Sequence, residues 1–228
     1  MKPIAVITHV DRAAAGLIHD VARDRGFSYR VVRPYRGEQL PGLGEVEAVV
    51  AMGGPQAAYD DHPYLRAEER YLASVVEAGV PLLAICLGAQ VLSRALGGTA
   101  QPGSDGLEAG IIQVKQADSA PFEIAGEFFS FHSDSMTPPA GAEVLAGSDR
   151  YLQAWSAGSA LAVQFHPEMT MAGVQDLLDD EGPKLERYHV DVPRIRADAE
   201  RYFNAGAEDS RTLLGHWFDA FAPGHPRR

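Results

Sequence analysis

Leu82-Leu83-Ala84-Ile85 is a run of buried-strand type that stops at the only cysteine of the chain, Cys86, and a helix-forming segment, Ala89 to Leu96, begins almost at once. Few structures accommodate a strand that turns so abruptly into a helix. The small residue at Ala84 and the glycine at Gly88 let the backbone turn without a clash, as a nucleophile elbow requires. A thiol at such a corner points at the N-terminus of the following helix. The positive end of that helix favours a negative sulfur, and free backbone N–H groups there can receive an oxyanion. The chemistry indicated is covalent acyl transfer. A lone cysteine in an apolar segment is otherwise a small buried hydrophobe, so other parts of the chain must carry the argument.

The same strand-then-helix grammar recurs along the chain. Residues 3–8 are predicted as a buried first strand, 13–25 as a helix with Asp11 as its N-cap and Gly26 closing it, and 27–33 as a second strand. Pro34 to Gly44 reads as a loop, and Glu47 to Met52 as a third strand running into Gly53-Gly54-Pro55. Pro63 opens a helix to about Ala78, ended by Gly79. Beyond Gly97-Gly98, segments around 107–115, 127–131, 142–146 and 151–156 read as shorter strands, part of them antiparallel. Residues 160–165 form another apolar strand that delivers His166-Pro167-Glu168 at its end. From Met171 the chain turns helical and charged, with helices expected at Arg194 to Ala207 and Asp209 to Phe221, and with Pro223 to Arg228 frayed. The expectation is an α/β fold, a three-layer doubly wound and mostly parallel sheet of flavodoxin type with a small antiparallel portion. Ligands of such sheets bind at the carboxyl ends of the strands. Both Gly53-Gly54 and Cys86 lie at such ends.

The 228 residues suit one domain spanning 1–228, with 171–228 as a helical C-terminal extension. A net charge of −11 argues against a general nucleic-acid or anionic-membrane binder. One cysteine excludes an intrachain disulfide and an all-cysteine metal site, and it suits a reducing compartment. With no signal-peptide pattern at the N-terminus and no stretch of about 18 apolar residues, the cytoplasm is the expected location. The histidines at 9, 19, 62, 189, 216 and 225 show no metal-ligand spacing and are expected in solvated or structural roles. Asp60-Asp61 and Asp179-Asp180-Glu181 read as solvated turns and caps. No metal and no cofactor is expected.

A cysteine nucleophile needs a base, and the base works best when a third group fixes its tautomer. His166 and Glu168 suit these roles if their strand neighbours that of Cys86. Taken with the upstream Met-Gly-Gly-Pro, the motifs Ala-Ile-Cys-Leu-Gly-Ala-Gln and Gln-Phe-His-Pro-Glu resemble the class I (triad) glutamine amidotransferase family over roughly residues 3–170, and in particular free-standing proteins similar to the glutaminase of GMP synthase. Tyr59-Asp60-Asp61 before the Pro63 helix is similar to that subgroup too.

The resemblance implies that Cys86 attacks the glutamine side-chain amide, His166 protonates the departing ammonia and Glu168 orients His166. It places the oxyanion donors at the N–H groups of Leu87 and of the Gly53-Gly54 turn, at Gly54. It puts Gly53 and Gln90 against the substrate, with His132 and Ser133 as further pocket candidates. His132 could compete for the base role, but it lacks a carboxylate in the His-x-Glu arrangement. Ala89 and Glu108-Ala109-Gly110 depart from the pattern of synthase-linked relatives without touching the triad. The expected ligand is glutamine or another γ-glutamyl compound, with a separate synthase subunit as a possible acceptor of ammonia. A stand-alone γ-glutamyl hydrolase or peptidase would use the same triad, and a thiol-sensing protein would keep the elbow without it.

Overall fold

The computed structural model describes residues 2–11, 15–118 and 120–221. The elements follow in the order β1 (Ile4–Ile7), α1 (Leu17–Asp24), β2 (Tyr29–Val32), β3 (Val49–Ala51), α2 (Pro63–Glu77), β4 (Leu82–Ile85), α3 (Leu87–Ala95), β5 (Thr99–Pro102) and β6 (Glu108–Gln116). They continue with β7 (Gly126–His132), β8 (Asp134–Thr137), β9 (Glu143–Gly147), β10 (Leu152–Ala157), β11 (Ala160–Val163), α4 (Met171–Asp180), α5 (Gly182–Arg187), α6 (Val192–Asn204) and α7 (Glu208–Asp219).

One nine-stranded sheet runs in the order β2-β1-β3-β4-β11-β10-β9-β6-β7, and β5 and β8 pair separately. The strands β2, β1, β3, β4 and β11 are parallel to one another. From β11 outward the pairing becomes antiparallel through β10, β9, β6 and β7, so the antiparallel segments extend the same sheet. The uninterrupted apolar runs are explained by burial on both faces. In β4, Leu83 and Ile85 enter one core while Leu82 and Ala84 enter the other, and Leu161 and Val163 of β11 divide from Ala160 and Ala162 in the same way. Helices α1 and α7 cover one face, and α2 and α3 pack together over the other.

Several boundaries differ from the sequence reading. Helix α1 starts at Leu17, not near residue 13, and Gly16 rather than Asp11 stands at its N-cap. Asp11 instead accepts from the Tyr35 hydroxyl and pairs with Arg36. Helix α3 begins at Leu87, directly after the cysteine. Residues 12–14 and the expected frayed end at 223–228 lie outside the described residues. The described residues after 171 are woven into the body of the protein. Leu214, Trp217 and Phe218 of α7 belong to the main core with Ile18 and Val21 of α1, and α4, α5 and α6 close a third cluster over Phe129 and Phe131 of β7.

Candidate active site

The site is built where the parallel strands end. Ile85 of β4 and Val163 of β11 are the last paired residues of adjacent strands, and the Cys86 amide donates to the Val163 carbonyl at 2.8 Å. The neighbourhood that the sequence could only suppose is therefore present, with Cys86 and His166 leaving the sheet side by side. Cys86 takes φ 49° and ψ −109°. A side chain bearing Cβ reaches this left-handed region only against a steric cost of about 1–3 kcal/mol, which the flanking strand and helix hold in place. Close approach explains Gly88: a methyl there would sit 2.3 Å from the Ala51 carbonyl oxygen of the neighbouring strand.

His166 is anchored through its amide, which donates to the Phe129 carbonyl of β7 at 2.8 Å. Its Nδ1 lies 2.7 Å from Glu168 Oε1, in a pair that is almost completely buried. The carboxylate accepts, so Nδ1 carries a proton and Nε2 remains for the sulfur of Cys86 beside the ring. Burial by itself would lower the basicity of His166. The Glu168 carboxylate, and after it the Cys86 sulfur, outweigh burial and hold the imidazole well above its ordinary 6.5.

The Gly53-Gly54 turn after β3 closes over this pair. A methyl on Gly53 would lie 2.9 Å from His166 Cε1 and 3.5 Å from Cys86 Cβ, so only glycine lets the turn approach so near. Among the described residues the N–H groups of Gly54 and Leu87 reach no protein acceptor. Behind the turn stands His9, one of the histidines assigned above to a scattered structural set. It is wholly buried, with Nε2 2.8 Å from Glu68 Oε2 of α2 and Nδ1 3.3 Å from the Gly53 carbonyl. The signal for it was positional: His9 lies just past the end of β1, at the same sheet edge as Cys86.

The opposite wall comes from the antiparallel half. Gln90 is buried, and its amide donates to Gln164 Oε1 at 3.2 Å and to the Asp134 carbonyl at 3.4 Å. His132 places Nδ1 2.8 Å from the Asp134 carbonyl and Nε2 3.1 Å from Glu108 Oε2. His132 is not followed by a His-x-Glu glutamate; the register instead sets Glu108 of β6 directly opposite it. Burial would raise the carboxyl of Glu108. The bonds from His132, Ser148 and Gln153 prevail and lower it. With both ring nitrogens engaged, His132 has none for Cys86. Ser133 lines the cleft, and its carbonyl accepts from the Gly103 amide.

These walls enclose a cleft of about 440 Å³ with Cys86, His166, Gly53, Gly54, Leu87, Gln90, His132 and Ser133 in its lining. It continues outward past Met169, Ala172 and Leu177 to Lys184, whose ammonium stands 5.2 Å from the centre of the Phe131 ring. Among the described residues no cluster of histidine, cysteine and acid side chains is arranged to hold a metal. None of the described helices is long and apolar enough to cross a membrane.

Fold and site together define an α/β protein with a cysteine elbow set against a buried histidine–carboxylate pair. Residues 9–181 match the family model for glutamine amidotransferase class-I, and the chain belongs to that family. It is 29% identical over 206 residues to a GMP synthase [glutamine-hydrolyzing] of Porphyromonas gingivalis, covering 82% of this chain and 37% of the synthase, so it spans little more than a third of that relative. A glutamine amidotransferase from Thermotoga maritima superposes with a TM-score of 0.87 at 26% identity, over 98% of this chain and 99% of the other. A glutamine amido transferase from Methylobacillus flagellatus shares the fold, with a TM-score of 0.88 at 21% identity, over 100% and 99% of the two chains.

Proposed function

We propose that this chain hydrolyses the side-chain amide of glutamine through a Cys86 γ-glutamyl thioester. One observation carries the reading. Of the buried histidines His9, His132 and His166, only His166 keeps a ring nitrogen for the thiol while a carboxylate fixes the other. Cys86 passes its thiol proton to His166 Nε2 as its sulfur adds to the amide carbon, and the oxyanion is received by the N–H groups of Leu87 and Gly54. His166 then gives its proton to the leaving nitrogen, the C–N bond breaks, and ammonia departs. Water, deprotonated by His166, adds to the thioester. The C–S bond breaks, returning the thiol and releasing glutamate. Glu168 keeps the imidazole in the required tautomer throughout. Gly53, Gln90, His132 and Ser133 form the bed for the γ-glutamyl group.

The relatives named as glutamine-hydrolysing synthases support a fate for the ammonia, namely transfer to an acceptor on a separate synthase subunit. We read residues 1–228 as one working unit, since α7 shares its core with α1. A second reading is favoured by the outward reach of the cleft over Met169, Leu177 and Lys184. That reach has room for a leaving amine larger than ammonia, as in a γ-glutamyl amide or peptide. The test is release of glutamate and ammonia from glutamine, and of amines from a panel of γ-glutamyl compounds, with Cys86→Ala alongside. Turnover should fall by at least about 10⁴-fold in Cys86→Ala. Equal turnover in that variant would refute the nucleophile. Far faster release from γ-glutamyl peptides than from glutamine would promote the second reading over the first.

A further inference from the structure

The proposed reaction assigns His9 and Glu68 no part, although they form an ion pair at 2.8 Å with neither side chain exposed. Such a pair is costly to bury, and its retention calls for a reason beyond stability. Each nitrogen of His9 faces a group that can only accept: the Gly53 carbonyl at Nδ1 and the Glu68 carboxylate at Nε2. Nδ1 therefore carries a proton, and a second proton on Nε2 would make the ring an imidazolium paired with the Glu68 carboxylate. Burial opposes this charge, but Glu68 overcomes it and the imidazole is raised above its ordinary value. Glu68 Oε1 has no hydrogen-bond partner among the described residues, so the charge of the carboxylate is committed to His9.

The Gly53 carbonyl belongs to the same peptide unit as the Gly54 N–H. In a trans peptide these two groups point in opposite directions. A hold on the carbonyl from behind the turn thus aims the N–H forward, into the cleft. That peptide lies between two glycines, which rotate more freely than any other residues. It is also tightly enclosed: a methyl on Gly54 would come within 2.6 Å of His9 Cβ and 2.8 Å of Leu87 Cδ2. The Gln56 amide ties the turn back to the His9 carbonyl at 3.3 Å.

We infer that His9, held in place by Glu68, is a positioning residue that locks the Gly53–Gly54 peptide with its N–H turned toward the oxyanion. The inference rests on the proposed acyl-transfer chemistry at Cys86. Its test compares His9→Leu and Glu68→Gln with the unaltered protein by glutamine kinetics, by alkylation of Cys86 with iodoacetamide, and by a crystal structure of His9→Leu. Loss of the lock should cost kcat about 10²-fold in His9→Leu, the scale of one oxyanion donor, with KM changed by less than about threefold. Glu68→Gln, which keeps a side chain of the same shape against the ring, should lose less. Alkylation should proceed at the original rate in both, because displacement of iodide builds no oxyanion. The crystal structure should show the peptide turned or disordered.

Unchanged kcat in both variants, a fall expressed only in KM, or an undisturbed peptide in His9→Leu overturns the inference. If the unaltered protein releases nothing from glutamine or γ-glutamyl compounds beyond Cys86→Ala, the proposed function is what fails. The orientation of the peptide in His9→Leu then decides the positioning role by itself.

Discussion

The two halves of the sheet use buried histidine and glutamate differently. In the parallel half, the chain segments leaving β1, β3, β4 and β11 bring His9, Gly53-Gly54, Cys86 and His166 to one edge, because parallel strands all end on the same side. There His166 Nε2 is left facing the Cys86 sulfur, and among the described residues two backbone N–H groups reach no protein acceptor. In the antiparallel half, Glu108, His132, Ser148 and Gln153 are bonded to one another between β6, β7 and β10, and His132 has both nitrogens occupied. The lesson is that a buried histidine–carboxylate pair does not by itself mark a catalyst. What matters is the nitrogen left over and what it faces.

This contrast can be broken by experiment. The largest effect should come from Glu168→Gln, which removes the anchor of the one available imidazole. Glutamine kcat should drop by about 10²–10⁴-fold while the folded state persists, as measured by steady-state kinetics beside a thermal melt. A full-rate Glu168→Gln protein would erase the distinction between the halves. Next, Phe218→Ala should cost about 3–5 kcal/mol in denaturant unfolding, because Phe218 is wholly buried in the core shared by α7 and α1. A loss under about 1 kcal/mol would make the segment after 171 an appendage.

Glu108→Gln should then destabilise by about 1–3 kcal/mol through donors left with a poorer acceptor. Its kcat should fall much less than that of Glu168→Gln. An equal fall at undiminished stability would move the antiparallel wall into the chemistry.

The smallest signal is in the pH dependence of stability, where the halves carry opposite signs. Glu108 is held below its ordinary 4.5, so its contribution is complete above about 4.5 and lost as pH falls through the folded value. His166 is held above 6.5, so its contribution is complete below about 6.5 and lost as pH rises through the folded value. Melts across the pH range should show a shallower acid limb in Glu108→Gln and a shallower alkaline limb in Glu168→Gln. The same limb altered in both variants would contradict the assignment.

Much of this protein was legible before any coordinates. The apolar runs at 3–8, 47–52, 82–85 and 160–165 read as strands because burial on both faces leaves no polar alternation to confuse them. The elbow at Cys86 and the pair at His166 and Glu168 were readable because each is written within a few consecutive residues. The start of α1 was misplaced, since an aspartate near a helix need not lie where its carboxylate can reach the first turn.

The sequence by itself therefore determined the parallel α/β class, the strand-to-helix corner at Cys86 and the local pairing of His166 with Glu168. Only the tertiary structure decided the other pairings. His9 meets Glu68 across 59 positions and His132 meets Glu108 across 24, through strand register and helix packing that no local pattern encodes. The physical reason is range. Periodicity, turn chemistry and motif spacing act over a few residues, whereas the availability of a ring nitrogen depends on every strand and helix that closes around it.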